Sequence, residues 1–292
     1  MAGHLTVIDP RRPPLAHLGG CCRARARGGV VLAERGRASG AQGPAAIAAL
    51  VREAGVADSR GTVLEALGGP RERVRATTAR GFDVFDVDDL NVVAVVVEAD
   101  PGARVVARAP GLADDMSEHD GQITKREIRA LTLSALAPRR RELLWDIGAG
   151  SGSVAIEWMR ADPSLRAIAV ERRRDRASRI RRNAAVFGVP GLQVIEGEAP
   201  AVLQGLEAPD AVFIGGGVGA ALDAVLPRLR SEGRLVVNAV TLETEAMLLV
   251  RYATLGGELT RIAVARADRI TTSPASGWRA GRPVTQWLWI KP

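Results

Sequence analysis

The chain has 292 residues, carries 40 Lys+Arg against 33 Asp+Glu for a formal charge of +7, and is 47% hydrophobic and 25% charged. That balance excludes a wholly disordered chain, and the length allows one large domain or two ordinary ones that fold without disulfide or metal staples. The adjacent Cys21 and Cys22 and the scattered His4, His17 and His119 offer neither a disulfide framework nor a zinc spacing, which fits a reducing cytoplasm.

No apolar stretch reaches the length of a membrane span, and the first residues lack the basic and apolar pattern of a signal peptide, so no membrane partner is expected. All the cations but Lys125 and Lys291 are arginine. Coding bias is one reading. The other is a preference for anionic ligands, because guanidinium makes paired hydrogen bonds to carboxylates and phosphates.

Residues 1–40 are rich in Arg, Gly and Pro, and the run Arg23–Arg27 reads as a solvated loop, with no aromatic residues interleaved for nucleic-acid stacking. Pro44–Ala54 predicts a helix stopped by Gly55. Thr62–Leu67 and Asn91–Val97 predict strands, the second apolar throughout and so expected to be buried on both faces; Asp100-Pro-Gly102 predicts a turn.

The pattern changes near residue 112. A helix over 124–136 leads in, with Thr124 as N-cap and Glu127 at capping-box spacing. Strand 143–147, helix 152–161, strand 167–171, helix 174–187 and strand 192–196 follow. Then come a short helix 199–206, strand 210–214, helix 218–229, strand 234–240, helix 242–255 and strands 258–266 and 284–290. This alternation predicts an α/β fold with a mainly parallel sheet covered on both faces.

The sharpest motif is Leu143–Ser153, in which an apolar strand ends in Asp146, runs through Gly148, Gly150 and Gly152, and opens a helix. Glycines let the backbone turn and approach a ligand, and the helix start offers free N–H donors. A dinucleotide fingerprint would place its third glycine where Ser153 stands. Asp146 instead suits a positive head, the ammonium and sulfonium of S-adenosylmethionine. With Ala149 and Ser151, these loop residues are the candidate cofactor cradle.

Glu171, ending the next strand, can accept both hydroxyls of a ribose, or pair with Arg172 or Arg173 as a solvated strand-end acid. Glu198, in Gly197-Glu-Ala-Pro200, can accept from an adenine amino group alongside Ala199, or serve the first turn of a helix. Gly215, Gly216 and Gly217 follow the fourth strand, where a bulky ligand would need a bare backbone. Asn238 either faces the site or is a satisfied core amide.

In this order the pieces resemble a class I S-adenosylmethionine-dependent methyltransferase. That resemblance implies a Rossmann-like, seven-stranded sheet of order 3-2-1-4-5-7-6, with strand 284–290 as the antiparallel seventh. With Asp114–Arg129 added, residues 112–292 resemble the decarboxylating precorrin methyltransferases of cobalamin biosynthesis, because the Gly121-Gln-Ile-Thr-Lys125 lead-in is not general to methyltransferases.

The narrower resemblance implies S-adenosylmethionine as cofactor, a tetrapyrrole substrate methylated at C-15 and decarboxylated at its C-12 acetate, and a homo-oligomer, often a tetramer. Gln122, Ile123, Thr124 and Lys125 would line the site, Thr124 beside the cofactor. Gln122, Lys125, Arg126, Gly216, Gly217, Asn238, Trp278 and Arg279 would meet the substrate, with Arg129 and Arg282 as further carboxylate clamps. Loop 267–283 reads, from its length, either as a lid or binding segment in which Trp278 covers the macrocycle, or as a mobile surface loop. No metal and no catalytic His or Cys are implied, since the macrocycle is its own nucleophile and electron sink; His119 reads as a loop residue.

Residues 62–74 and 88–94 resemble the later half of the tetrapyrrole methylase often joined ahead of this domain. The expected organisation is therefore a partial methylase over 1–111 and the methyltransferase/decarboxylase over 112–292. The earlier half, with its own glycine-rich loop, is not found, so C-5 methylation is not expected of this chain. The competing readings are a class I methyltransferase acting on RNA or protein, a non-catalytic partner subunit and, more distantly, a dehydrogenase. The basic charge permits an RNA substrate, but no Asn-Pro-Pro-Tyr-type motif follows the fourth strand.

Overall fold

A computed structural model describes residues 6–7, 27–33, 40–99, 101, 106–107, 109–269 and 275–292. Cys21, Cys22, His4, His17, the arginine run up to Arg27 and, apart from Pro101, the turn expected at 100–102 lie outside the described residues. Two compact units are distinguished, residues 1–108 with 185–188, and residues 109–184 with 189–292.

The first unit holds β1 (Thr6–Val7), β2 (Arg27–Ala33), α1 (Gly43–Glu53), β3 (Arg60–Glu65), β4 (Arg73–Thr78) and β5 (Asn91–Glu98), in a sheet of order β1-β2-β5-β3-β4. Ala48 and Val51 of α1 pack with Val63, Val93, Val95 and Val97. The expectation that the Asn91–Val97 strand is buried on both faces is corrected. Its burial alternates, with Val93 and Val95 inside and Val96 exposed, as befits a strand antiparallel to both neighbours with a core on one face. Sequence reading missed β4 because Arg73 and Arg75 interrupt it. Both reach the buried carboxylate of Glu65 at 2.8 Å, a partner visible only once β3 and β4 are paired.

The second unit begins with a 3₁₀ turn at Asp114–Met116 and α2 (Arg126–Leu136), followed by β6 (Leu143–Ile147), α3 (Ser153–Ala161), β7 (Arg166–Glu171), α4 (Arg174–Val186) and β8 (Gln193–Glu196). Next are β9 (Ala211–Ile214), α5 (Val218–Val225), β10 (Arg234–Ala239), α6 (Leu242–Leu255), β11 (Glu258–Ile262), β12 (Ala265–Arg269), β13 (Ser276–Ala280) and β14 (Val284–Ile290). Seven strands form a sheet of order β11-β14-β10-β9-β6-β7-β8, with β14 antiparallel to both neighbours. Numbered from β6, this is 3-2-1-4-5-7-6, the class I order expected from the sequence.

Alternation along β6 sends Leu143, Trp145 and Ile147 into one core with Val218, Leu222 and Val225 of α5, which leaves Leu144 and Asp146 on the opposite face. Several boundaries move. The lead-in helix starts at Arg126, not Thr124; Lys125 is its N-cap and makes no side-chain capping bond, so the capping box does not form. The helix expected over 199–206 is a single 3₁₀ turn, Ala201–Leu203, and α5 stops two residues before Pro227, which cannot continue it. The strand expected over 258–266 breaks into β11 and β12. Much of the expected loop 267–283 is strand, since β12 and β13 pair as a separate two-stranded sheet. No helix among the described residues is long and apolar enough to cross a membrane.

Candidate functional site

The carboxyl ends of the parallel strands open onto a cavity of about 750 Å³. Its floor is the loop after β6. The N–H groups of Gly148 and Ala149 donate to the Val170 carbonyl at 2.9 and 3.1 Å, folding the loop over β7. At Gly148, with φ +70°, a Cβ would stand 2.9 Å from both the N and the O of Gly216. The two glycine-rich turns therefore touch backbone to backbone, which no other residue type permits. Gly152, with φ +77°, serves packing instead: a Cβ there would meet Ile180 of α4 at 2.7 Å.

Gly148, Ala149 and Gly150 line the cavity, but Ser151 and Gly152 do not. Ser151 is buried, and its carbonyl accepts from Asn183 Nδ2 at 2.9 Å.

Asp146 is also outside the cavity wall. It is 1% exposed, and Oδ2 accepts the N–H of Ala155 in the first turn of α3 at 3.0 Å, while Oδ1 has no partner among the described residues. Burial pushes its carboxyl up to about 7; the Ala155 N–H opposes that, and the nearby Glu171 charge adds to it. Direct contact with a ligand's positive head, as expected from sequence, is thus not what the geometry provides. Asp146 supports the loop from behind, through its bond to the Ala155 N–H.

Glu171 does line the cavity. Oε2 accepts from Gly150 N at 2.9 Å and Oε1 from Arg173 N at 3.0 Å, so the carboxylate is fixed by main chain and each oxygen keeps a free acceptor site. Glu198 and Ala199 line the same side, with Arg172 3.8 Å from Glu198.

Another part of the wall is built by Gln122, Ile123, Thr124 and Lys125, with the Gln122 carbonyl packed close to Gly150. This segment is held at both ends. Asp120 accepts from Gln122 N at 3.2 Å and from Arg176 Nε at 2.9 Å, and Arg176 holds its carboxyl well below the usual carboxylate range despite partial desolvation. His119, which does not line the cavity, accepts at 3.1 Å from the N–H of Gly121, which does. At the other end the Thr124 carbonyl accepts from Arg129 at 2.5 Å.

Arg129 is itself 1% exposed and bound to Glu157, Asp114 and the Leu112 carbonyl. It is therefore corrected from a substrate clamp to a buried brace. Arg126 is exposed and outside the cavity lining, as is Trp278, which is 79% exposed on β13 and does not cover the cavity.

Gly215, Gly216, Gly217 and Asn238 complete the strand-end rim. The Asn238 amide lines the cavity and is also bonded inward, through Thr132 and Gln286. Cations gather at the mouth. Lys125 lies 3.9 Å from Asp114, Arg279 bonds Asp268 at 2.9 Å, Arg266 pairs with Glu127, and Arg282 has no ion pair among the described residues.

Sequence reading missed Arg176, Arg266 and the apolar wall of Phe213, Val240, Val264 and Val284. Arg266 in particular had no local signal, because only the β12–β13 pairing brings it to the mouth. No group of three or more metal-binding side chains occurs among the described residues.

Residues 115–291 match the family profile described as a precorrin methyltransferase domain. The chain is 57% identical over 251 residues to a Sinorhizobium protein named precorrin-6Y C(5,15)-methyltransferase (decarboxylating), covering 85% of this chain and 60% of that one. A Salmonella typhimurium protein named cobalt-precorrin-6B C(15)-methyltransferase (decarboxylating) is 36% identical over 137 residues, 46% of this chain and 70% of the relative. The crystal structure of the C-terminal domain of precorrin-6Y C5,15-methyltransferase from Rhodobacter capsulatus matches with a TM-score of 0.60 and 47% identity, over 64% of this chain and 100% of that one. The chain thus spans about 60% of the length of its longer curated relatives.

Proposed function

The chain belongs to the precorrin methyltransferase family, and from that premise we propose that it methylates a precorrin at C-15 with S-adenosylmethionine and removes carbon dioxide from the C-12 acetate. The observation that carries the reading is a cavity in which a Cβ-free glycine cradle and a fixed carboxylate face a mouth lined with cations. Its volume, about 750 Å³, is in the range of cofactor and substrate sites.

The residues present fit the cofactor. The Gly148–Gly216 contact leaves no side chain between the two turns, and Glu171 keeps two acceptor sites for a ribose diol. Glu171 beside the loop favours a cationic ligand, and the Asp146 carboxyl behind it, pushed up to about 7 by burial, can ionise in response to one. Glu198 and Ala199 are suited to the adenine end. S-adenosylmethionine, when bound, supplies a methyl group on a positively charged sulfur.

The chain's own work is positioning, which accounts for much of the acceleration available to a displacement between two bound molecules. Gln122–Lys125, braced by Asp120 and Arg129, forms one wall. Lys125, Arg266, Arg279 and Arg282 would bind carboxylates of the macrocycle by charge-assisted hydrogen bonds. Val240, Val264, Val284 and Phe213 exclude water from the interior. The precorrin's conjugated enamine system supplies the electron pair at C-15. When the acetate loses carbon dioxide, the pair of the breaking C–C bond enters that same system, and the remaining methylene carbon takes a proton from solvent to become a methyl group, so no enzyme base of matched pKa is assigned.

The reading includes residues 1–111 as the later part of a tetrapyrrole methylase, residues 112–292 as the methyltransferase/decarboxylase, and a cytoplasmic homo-oligomer. C-5 methylation is not assigned to this chain. Incubating the purified chain with the precorrin and S-adenosylmethionine, followed by mass analysis, tests the proposal. The expected product has gained one methyl and lost one carboxyl; unchanged mass overturns the reading, and methyl gain with the carboxyl retained removes its decarboxylation half.

A further inference from the structure

Asn238 stands at the cavity end of β10, directly opposite Gln286 on the antiparallel β14. Gln286 Nε2 donates to Asn238 Oδ1 at 2.9 Å and to Thr132 Oγ1 at 3.2 Å. Asn238 Nδ2 donates to the same Thr132 Oγ1 at 2.9 Å. Gln286 is 7% exposed and Thr132 fully buried on α2, and neither lines the cavity.

The donor and acceptor inventory makes this triangle directional. Gln286 spends both of its N–H groups, and Thr132 Oγ1 spends both of its lone pairs. Turning the Asn238 amide alone would set its NH₂ against that of Gln286. Turning both amides would aim two oxygens at a hydroxyl that has one proton. Only the observed arrangement pairs a donor with an acceptor in all three mutual contacts, and an unpaired polar group in such a setting costs about 1–3 kcal/mol. Asn238 is left with one N–H and one carbonyl lone pair of defined direction at the cavity.

We propose that Gln286 and Thr132 are positioning residues that fix which end of the Asn238 amide meets each part of the precorrin, so that Asn238 presents a donor and an acceptor side by side. This rests on the function proposed above. The matching chemistry is a macrocycle edge that sets an acceptor, such as a side-chain carboxylate, beside a donor, such as a pyrrolic N–H. The cofactor cradle lies at β6 and β7, so the triangle affects the substrate and not the nucleoside.

Two variants test this. Thr132→Val with Gln286→Leu removes both partners by apolar groups of similar size, which tends to spare stability. Gln286→Glu keeps shape but replaces the donor with an acceptor, which drives the Asn238 amide to turn over. Each is compared with the parent for thermal midpoint, S-adenosylmethionine Kd by calorimetry, and kcat and KM for the precorrin. The expected result is a fall of about 10- to 100-fold in kcat/KM for the precorrin, the range typical of a displaced positioning group, with cofactor Kd within about twofold.

If Gln286→Glu, or the double variant where it folds, retains kcat/KM within about twofold of the parent, the inference is overturned. A matching loss of cofactor affinity also overturns it, because the triangle would then be a general structural support. A parent that binds the cofactor yet never turns over the precorrin overturns the underlying functional reading instead, and is recognised before any variant is made.

Discussion

Arg129 Nε and Glu157 Oε1 meet at 2.6 Å inside the methyltransferase unit, where both residues are less than a tenth exposed. Glu157 also accepts the main-chain N–H groups of Gly111 and Leu112 at 2.6 and 3.1 Å, and Arg129 donates onward to the carbonyl of Thr124. The helix that opens from the glycine loop is thereby tied, through one guanidinium, to the cavity wall beside that loop. Arg129→Met leaves a buried carboxylate without its cation and is expected to cost about 3–5 kcal/mol in urea unfolding. Glu157→Gln keeps one acceptor and should cost less. Because Arg129→Met also releases the Thr124 carbonyl, that folded variant should bind S-adenosylmethionine more weakly, by calorimetry, than its loss of stability alone implies, whereas Glu157→Gln, which keeps the Arg129–Thr124 bond, should not.

Gly148 and Gly216 make contrasting targets. A Cβ on Gly148 would press into the Gly216 backbone, and the left-handed φ penalises any L side chain as well, whereas a Cβ on Gly216 meets nothing within 4 Å. Gly148→Val should therefore lose cofactor binding altogether and destabilise the fold by about 1–3 kcal/mol or more. Gly216→Ala should fold with nearly parental stability, yet weaken ligand binding because its methyl enters the cavity. Paired thermal melts and titrations separate the two effects. Equal behaviour of the variants would refute the backbone contact.

The strand–glycine–helix turn and the strand positions of Glu171 and Asn238 were legible because each follows from local pattern: apolar runs, turn residues and period; the sheet order came from the family resemblance that those pieces carry. The alternation in Leu143–Ile147 even holds the clue that Asp146 faces away from Trp145 and lies behind the loop. What was illegible depends on pairing between distant residues. β4 went unpredicted because Arg73 and Arg75 leave it no apolar alternation, and the Glu65 carboxylate that both serve comes beside them only through strand pairing. Arg129 looked like an open clamp until Glu157 and the Thr124 carbonyl used its donors. Trp278 looked like a lid, but β13 is a strand that leaves the ring in solvent.

The mouth cations differ in how free they are, and this predicts an order of effects. Arg282 has no ion pair among the described residues, so Arg282→Glu should raise KM for a polycarboxylate substrate about tenfold or more, leaving cofactor Kd and stability near parental values. Arg266→Gln removes a cation and also exposes Glu127 as an unpaired acid on the cavity wall. Adding Glu127→Gln should then recover part of the loss. The recovery, read as KM in a double-mutant cycle, should shrink as salt is raised, because these groups are about half exposed and screened.

The Asp146 carboxyl, pushed up to about 7 by burial, makes stability depend on pH in a direction that can be worked out. The unfolded chain releases this proton near 4, so between about 4 and 7 the folded state binds the proton and the unfolded state does not. Stability from this group therefore falls as pH rises through that window, and the penalty is complete above about 7. Asp146→Asn keeps an oxygen for the Ala155 N–H but cannot ionise. The variant should gain stability over the parent progressively from pH 4 to pH 7 and hold a constant advantage above, by urea unfolding at matched pH. A cationic ligand in the cradle favours the ionised form, so S-adenosylmethionine binding near pH 6 should release protons from the parent, seen as a heat that depends on buffer ionisation enthalpy. That release should be absent in Asp146→Asn. A stability difference independent of pH, or equal proton release by both proteins, would show that the carboxylate behind the glycine loop is not the group that senses the ligand's charge.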